Sequence, residues 1–321
     1  VALVYGRDEL ALEVGRRLAD ALDITVLLTR PSAVMPPAVT DFPVVKGTIR
    51  AATGHLGAFE IVVDDFAAAA PSSREALVFG AARNGAISRC DILLDISGST
   101  PLFSAFDLRD GYLRADPGDP AAVLRAVLKA RDLVGTFDKP RYITFTEDLC
   151  AHSRSRIVGC RRCLDLCPTG AIAPNGNAVA IDANVCAGCG SCASVCPTGA
   201  ASYALPSSDS LMRRLRTLLQ TYRKAGGSDA VVLFHDREHG EDIIDALARF
   251  GDGLPANVLP LRVNEVTQIG PEVIASVFAF GGSGAAALTR AKPRHDITAL
   301  RRAVETSGTI ISALGFGTGL V

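Results

Sequence analysis

Residues 186–200 read Cys186-Ala187-Gly188-Cys189-Gly190-Ser191-Cys192-Ala193-Ser194-Val195-Cys196-Pro197-Thr198-Gly199-Ala200. Three cysteines separated by two-residue gaps can point from one tightly wound loop toward one inorganic centre. The fourth, three residues later and followed by proline, points away from that loop. Part of the pattern occurs twice. Cys160, Cys163, Cys167, Pro168, Thr169, Gly170 and Ala171 recur as Cys189, Cys192, Cys196, Pro197, Thr198, Gly199 and Ala200, an offset of 29. Two copies of one half-module are implied.

The upstream copy departs from this pattern. Its first cysteine would stand at position 157, where the chain has Ile157, and an aliphatic side chain binds no iron. Cys150 is the nearest substitute. The expected crossed ligand sets are Cys150, Cys160, Cys163 and Cys196 for cluster one, and Cys186, Cys189, Cys192 and Cys167 for cluster two. Two [4Fe–4S] clusters would use eight of the nine cysteines. A free Cys150 beside a three-ligand [3Fe–4S] centre, or ligation by His152 or Asp148, stays open at this point. Zinc is the plain alternative, but its sites usually take two separated cysteine pairs rather than a close triplet with a distant Cys-Pro.

Residues 141–205 resemble a bacterial-type two-cluster ferredoxin domain, on the strength of the repeated Cys-Pro-Thr-Gly-Ala segments 167–171 and 196–200. The resemblance implies a pseudo-twofold fold of short hairpins and helices around two cubanes, and one-electron transfer. The wider chain resembles the large proteobacterial 4Fe–4S proteins encoded beside formate dehydrogenase genes, through the segment Leu149–Ile172. Residues 229–321 resemble the small iron–sulfur subunit that links methanogen hydrogenase to heterodisulfide reductase, through the element order, Leu261–Val263 and Gly270–Ala279. That family binds a cluster with its own cysteines, and none follows Cys196 here, so this domain would keep the scaffold without the metal.

Outside the cysteine region the pattern alternates between strands and helices. Val1–Tyr5, Ile24–Leu28, Ile61–Val63 and Ile92–Ile96 are strand-length apolar runs. Leu10, Val14, Leu18 and Leu22 mark a helix face that Asp8 is placed to cap. A second helix is expected over 73–82 and a third from Ala121, after the Pro117-Gly118-Pro120 break. Beyond the module, 207–226 reads as a helix with a basic face. Strands are expected at Val231–Phe234, Val258–Leu261, Ala285–Thr289 and Thr309–Ser312, and helices near Glu241–Phe250, Pro271–Ala279 and Asp296–Thr306. The fold class expected is α/β: two α/β domains with mostly parallel sheets flanking a small ferredoxin-like dicluster module. The divisions are 1–137 (Rossmann-like), 138–205 (ferredoxin-like), 206–226 (connecting helix) and 227–321 (C-terminal α/β).

Composition bounds the function. Hydrophobic residues make up 48% and charged residues 21%, a globular balance, and a net charge of −1 argues against nucleic-acid or membrane-surface binding by bulk charge. No apolar run is long enough to span a bilayer. The first residues carry no secretory signal, although a start at Val1 rather than Met leaves upstream sequence open. Locally dense cysteine without such a signal reads as metal binding in a reducing compartment, here the cytoplasm.

Cys90 reads as a core cysteine. Arg154, Arg156, Arg161 and Arg162 flank the first run, where they could raise a cluster potential, dock an acidic partner or simply face solvent. Gly6-Arg7-Asp8 lacks the dinucleotide fingerprint. Gly281-Gly282-Ser283-Gly284 reads as a tight turn, and Asp64–Asp65 as solvent-facing acids at a strand end. No nucleophilic catalytic set stands out, so an electron carrier or adaptor for a partner oxidoreductase, formate dehydrogenase being one candidate, is expected before a stand-alone catalyst. The rivals are an accessory or assembly factor with structural or sensory clusters, and an oxidoreductase holding a flavin in one α/β domain.

Overall fold

In a computed structural model describing residues 1–37, 41–103, 109–154 and 157–321, the N-terminal apolar run forms β1 (Ala2–Gly6). This strand is buried on both faces: Ala2 and Val4 enter one core, Leu3 and Tyr5 the other. Such a strand belongs in the middle of a sheet covered on both sides. Arg156 lies outside the described residues, as does the side chain of Arg154. The described chain divides into two units, Val1–Asp138 and Lys139–Val321.

In the first unit, β1 is followed by α1 (Asp8–Leu18), β2 (Ile24–Leu28), β3 (Val44–Thr53), β4 (Phe59–Ala68), β5 (Ala86–Cys90), β6 (Ile92–Ile96), β7 (Tyr112–Arg114) and α2 (Pro120–Asp132). The sheet order is β5-β4-β3-β2-β1-β6-β7. The pairs β1–β2, β1–β6, β2–β3 and β6–β7 are parallel, while β3–β4 and β4–β5 are antiparallel. The α/β class with a mostly parallel sheet is as expected. Asp119 caps α2 by accepting from the N–H groups of Ala121 and Ala122, both at 3.0 Å.

Three local expectations fail here. Residues 73–82 are not helical. Leu77 and Phe79, two apart, pack against the core, and the Ala69–Phe79 bridge with the Gly80 N–H donating to the Ala68 carbonyl at 3.0 Å ties the segment to the end of β4, so a period of two prevails. Asp8 is the first residue of α1 rather than its cap, and its carboxylate accepts from Ser32 Oγ at 2.9 Å. Asp64 and Asp65 lie within β4, not at its end: Asp64 accepts from the Gly85 N–H and Asp65 pairs with Lys46 at 3.1 Å.

The second unit contains β8 (Ile143–Phe145), β9 (Ser153–Arg154), β10 (Ile157–Val158), α3 (Arg162–Leu166), β11 (Ile172–Asn175), β12 (Ala178–Ile181), α4 (Ser191–Ser194) and β13 (Ala201–Tyr203). It continues with α5 (Ser208–Lys224), β14 (Val231–His235), α6 (Asp242–Phe250), β15 (Val258–Arg262), α7 (Pro271–Ala279), β16 (Gly284–Ala287) and α8 (Thr298–Ala313). β8 pairs antiparallel with β13, β9 with β10 and β11 with β12. The later strands form a parallel sheet, β15-β14-β16.

Helix α5 does more than connect. Leu211, Leu215 and Leu219, spaced by four, enter the core formed with Val232, Phe234 and Val273. The expected strand Thr309–Ser312 belongs to α8. Its β-branched run Thr309-Ile310-Ile311 suggests a strand, but Ala299, Leu300, Ala303, Ser307 and Ile311 make a buried face at helical spacing.

Candidate metal centre

The loop from Cys186 to Cys192 turns twice through left-handed backbone, at Gly188 (φ +76°) and Gly190 (φ +80°). A Cβ at Gly188 would come within 2.7 Å of the Tyr142 ring, and one at Gly190 within 2.5 Å of Gln268 Cβ. Glycine is therefore required at both positions on two counts, conformation and space. These two turns let residues three apart present their sulfurs from one short loop. Helix α4 follows, and Cys192 within it is buried.

Upstream, the stretch between Cys150 and Cys160 folds back on itself. The N–H of Gly159 donates to the His152 carbonyl at 2.7 Å, and that of Cys160 to the Ala151 carbonyl at 3.0 Å. These bonds close the base of the β9–β10 hairpin and leave Cys150 next to Cys160. Ile157, in the position where the repeat wants a cysteine, is 73% exposed on β10. Cys150, Cys160, Cys163 and Cys196 together line one small cavity with Phe145, His152 and Val179. Around Cys192 the neighbouring thiols include Cys189, Cys186 and Cys167. Asp148 is exposed and not part of the lining. His152 is buried, and its Nδ1 bonds the Cys160 carbonyl oxygen at 2.9 Å.

Electrostatics follows from this crowding. Burial, then the neighbouring Cys160, Cys196 and Cys150 sulfurs, push the Cys163 thiol up to about 11. Burial likewise raises Cys186, Cys189 and Cys192. Cys196 goes the other way: burial pushes its thiol up, but the N–H groups of Ala201, Thr198 and Ala200 and the Thr198 hydroxyl outweigh it and hold the thiol below its ordinary value. The Ala201 N–H reaches Cys196 Sγ at 3.4 Å and Thr198 Oγ1 lies 3.7 Å from it. Thr169 Oγ1 lies at the same 3.7 Å from Cys167 Sγ, so in both Cys-Pro-Thr repeats the hydroxyl reaches back to the sulfur two residues earlier.

These donors fit a multi-iron core. Packed, partly buried thiols repel one another as thiolates, and a cationic iron–sulfur core placed among them removes that cost. Among the described residues no three His, Cys, Asp or Glu side chains could hold a single metal ion; the four cysteines of the upstream set instead line one cavity.

The cysteine pattern did not point to the residues that hold this loop from the C-terminal side. Tyr203, buried at the end of β13, donates from its hydroxyl to the Gly188 carbonyl at 2.6 Å and accepts from Asn264 Nδ2 at 2.7 Å. Thr267 Oγ1 donates to the Cys189 carbonyl at 2.5 Å. Nothing in the residue types of 264–268 announces this; only their place after an apolar strand was readable. Of the flanking arginines, Arg161 pairs with Asp165 at 3.4 Å and Arg162 lines the cysteine cavity. Cys90 is a core residue of β5, its thiol pushed up to about 12 by burial.

Residues 134–200 match the family model of the 4Fe-4S dicluster domain. No curated protein and no solved structure matches the chain. The chain thus carries a ferredoxin-like 4Fe–4S segment, which supports an iron–sulfur electron-transfer role. Among the described residues no helix is long and apolar enough to cross a membrane.

Proposed function

We propose that this protein is an electron-transfer subunit or adaptor carrying two [4Fe–4S] clusters and serving a partner oxidoreductase. Cluster one is held by Cys150, Cys160, Cys163 and Cys196, and cluster two by Cys186, Cys189, Cys192 and Cys167. The observation that carries the reading is the cavity lined by all four cysteines of the upstream set, Cys150 included. When bound, such clusters supply reversible one-electron chemistry. The chain's own contribution is to orient the thiolates and to direct the Ala201 N–H and the Thr198 hydroxyl at Cys196. Hydrogen bonds to cluster sulfurs raise the potential of the cluster that receives them.

Residues 138–205 act as the cluster module, with 1–137 and 227–321 as docking domains and 206–226 as the helix between module and C-terminal domain. Formate dehydrogenase is the first partner to test, given the likeness of Leu149–Ile172. The likeness of 229–321 to the hydrogenase-linking subunit supports a scaffold role for that domain. The protein works in a reducing compartment, which we take to be the cytoplasm.

The test is iron analysis and electron paramagnetic resonance on anaerobically purified, dithionite-reduced protein. About eight irons per chain and reversible signals from two cubanes are expected. A preparation containing zinc alone would refute the reading. Clusters that resist reduction throughout the cellular range would favour an assembly or sensory role instead.

A further inference from the structure

The two Cys-Pro-Thr-Gly segments are identical in sequence and differ in exposure. Beside Cys196, the residues Pro197, Thr198 and Gly199 are all exposed, and the contact between Thr198 Oγ1 and Cys196 Sγ lies in the open. Beside Cys167, both Pro168 and Thr169 are half-buried, as is the matching contact of Thr169 Oγ1 with Cys167 Sγ. Cys196, Pro197 and Gly199 also border a cleft of about 930 Å³ that opens between the module and helices α7 and α8. One corner of the repeated module thus faces solvent where its copy does not.

The other ligand candidates extend this asymmetry. Cys150, Cys160 and Cys163, which share a cavity with Cys196, are each partly exposed. In the set completed by Cys167, Cys186 and Cys189 keep some exposure, but Cys192 is buried. Their loop is also covered: Gly188 packs against the Tyr142 ring and Gly190 against Gln268, while Tyr203 and Thr267 donate to the Gly188 and Cys189 carbonyls at 2.6 and 2.5 Å. Hydrogen-bond donors do not separate the two sets, since the Ser191 N–H and hydroxyl face Cys189 as the Ala201 N–H and Thr198 hydroxyl face Cys196. Access does separate them. An electron tunnels between two proteins only where their centres come close, and every layer of chain between them slows it. Exchange is therefore fastest on the side of the module with the thinnest cover.

We propose that the exposed corner Cys196-Pro197-Thr198-Gly199 is where a one-electron redox protein docks, with Cys167-Pro168-Thr169 turned away from it. This rests on the cluster reading and deepens it by assigning the side that faces the partner. The corner carries no charged side chain, so it fits an uncharged rim around the partner's own redox centre. Each encounter passes one electron between that centre and the group held by Cys196. One is oxidised as the other is reduced, no bond forms or breaks, and no proton moves.

The experiment uses full-length, iron-loaded protein, reduced anaerobically. Cys196→Ser and Cys167→Ser first label the two paramagnetic signals, each altering the signal of the cluster its own cysteine ligates. A soluble gadolinium chelate is then added to the parent protein, and it should speed relaxation of the Cys196-labelled signal severalfold more than that of the other. Thr198→Val and Thr198→Trp both lose the hydroxyl, so the difference between them reports bulk at the corner. The second-order rate of electron transfer to oxidised cytochrome c should fall about tenfold from the valine to the tryptophan variant, within the roughly one to three decades that variants of one interface span, with iron content unchanged. Equal relaxation of both signals, or a larger effect on the Cys167-labelled one, would overturn the proposal, as would a Thr198→Trp protein that reacts as fast as Thr198→Val. The relaxation measurement needs no substitution in the protein it is made on, so it decides even if the tryptophan variant does not fold. Iron content short of two cubanes ends the cluster reading, whereas about eight irons in two equally accessible centres ends this proposal alone.

Discussion

Ile157 and Cys150 decide how cluster one is completed. The repeat places a ligand at 157, yet that side chain is 73% exposed, while Cys150 joins three other cysteines around one cavity. Replacing Cys150 with serine should therefore lower iron content or convert cluster one to a three-iron signal. Iron analysis and paramagnetic resonance read this out, and an unchanged spectrum would remove Cys150 from the ligand set. Cys167→Ser should damage the cluster held by Cys186, Cys189 and Cys192, since the fourth ligand is crossed; loss of the other cluster would reverse the assignment. Cys90 makes a separate prediction about pH. Its thiol, ordinarily near 9.0, is pushed up to about 12 by burial, so the unfolded chain loses this proton at lower pH than the folded one. Stability present below pH 9 is then lost as pH rises from about 9 toward 12, by about 2 kcal/mol at roughly pH 10.5 from this group. Cys90→Ala should flatten the fall in stability between about pH 8.5 and 10.5, as denaturant melts at each pH would show. A variant whose fall is as steep as the parent's would contradict this.

At the scale of elements, the downstream cysteine loop depends on a segment far away in sequence. Thr267 donates to the Cys189 carbonyl and Tyr203 to the Gly188 carbonyl, so the turn before α7 and the end of β13 both hold that loop. Thr267→Val should cost about 1–3 kcal/mol by leaving an acceptor unpaired. It should also speed oxidative loss of cluster two over cluster one, measured as separate decays of the two paramagnetic signals in air; equal decay rates in variant and parent would count against the tether. The cysteine ligand candidates were legible because their spacing is local and repeats at a fixed offset. The tether was not, because hydrogen bonds from Asn264 and Thr267 leave no periodic trace in sequence. The same contrast runs through the fold. β2 and α7 match the bounds read from apolar runs and from a proline at the helix start. Residues 73–82 and Thr309–Ser312 misled because short apolar or β-branched stretches carry both periods, and only tertiary contacts, with β4 in one case and along one face of α8 in the other, select between them. The pairing of β9 with β10 was equally hidden, since no apolar periodicity in Ser153–Arg154 or Ile157–Val158 announces it.

For the whole molecule, the eight candidate ligands lie in only one of the two units, Lys139–Val321. The unit Val1–Asp138 has its own cores on both faces of its sheet, and its single cysteine, Cys90, is one of those core residues. In the second unit the apolar cluster around the cysteines is small, with Ile172, Val179 and Cys192 as its buried members. So little buried apolar surface supports the module weakly by itself, and binding energy of a metal centre is then folding energy. The stabilising effect of the clusters should accordingly be confined to the second unit, and through Thr267 and Tyr203 it should reach the β15–α7 region as well. Calorimetry of the loaded protein and of protein stripped anaerobically by chelator should show one transition shifted down by several degrees or lost on stripping, and another unmoved. Hydrogen exchange should assign the moved transition to residues 139–205 and 258–279, with protection in β1, β2 and β6 unchanged. If stripping weakened protection throughout Val1–Asp138 to the same extent, the stability of that unit would have to depend on the iron centres, which its separate, doubly covered sheet argues against.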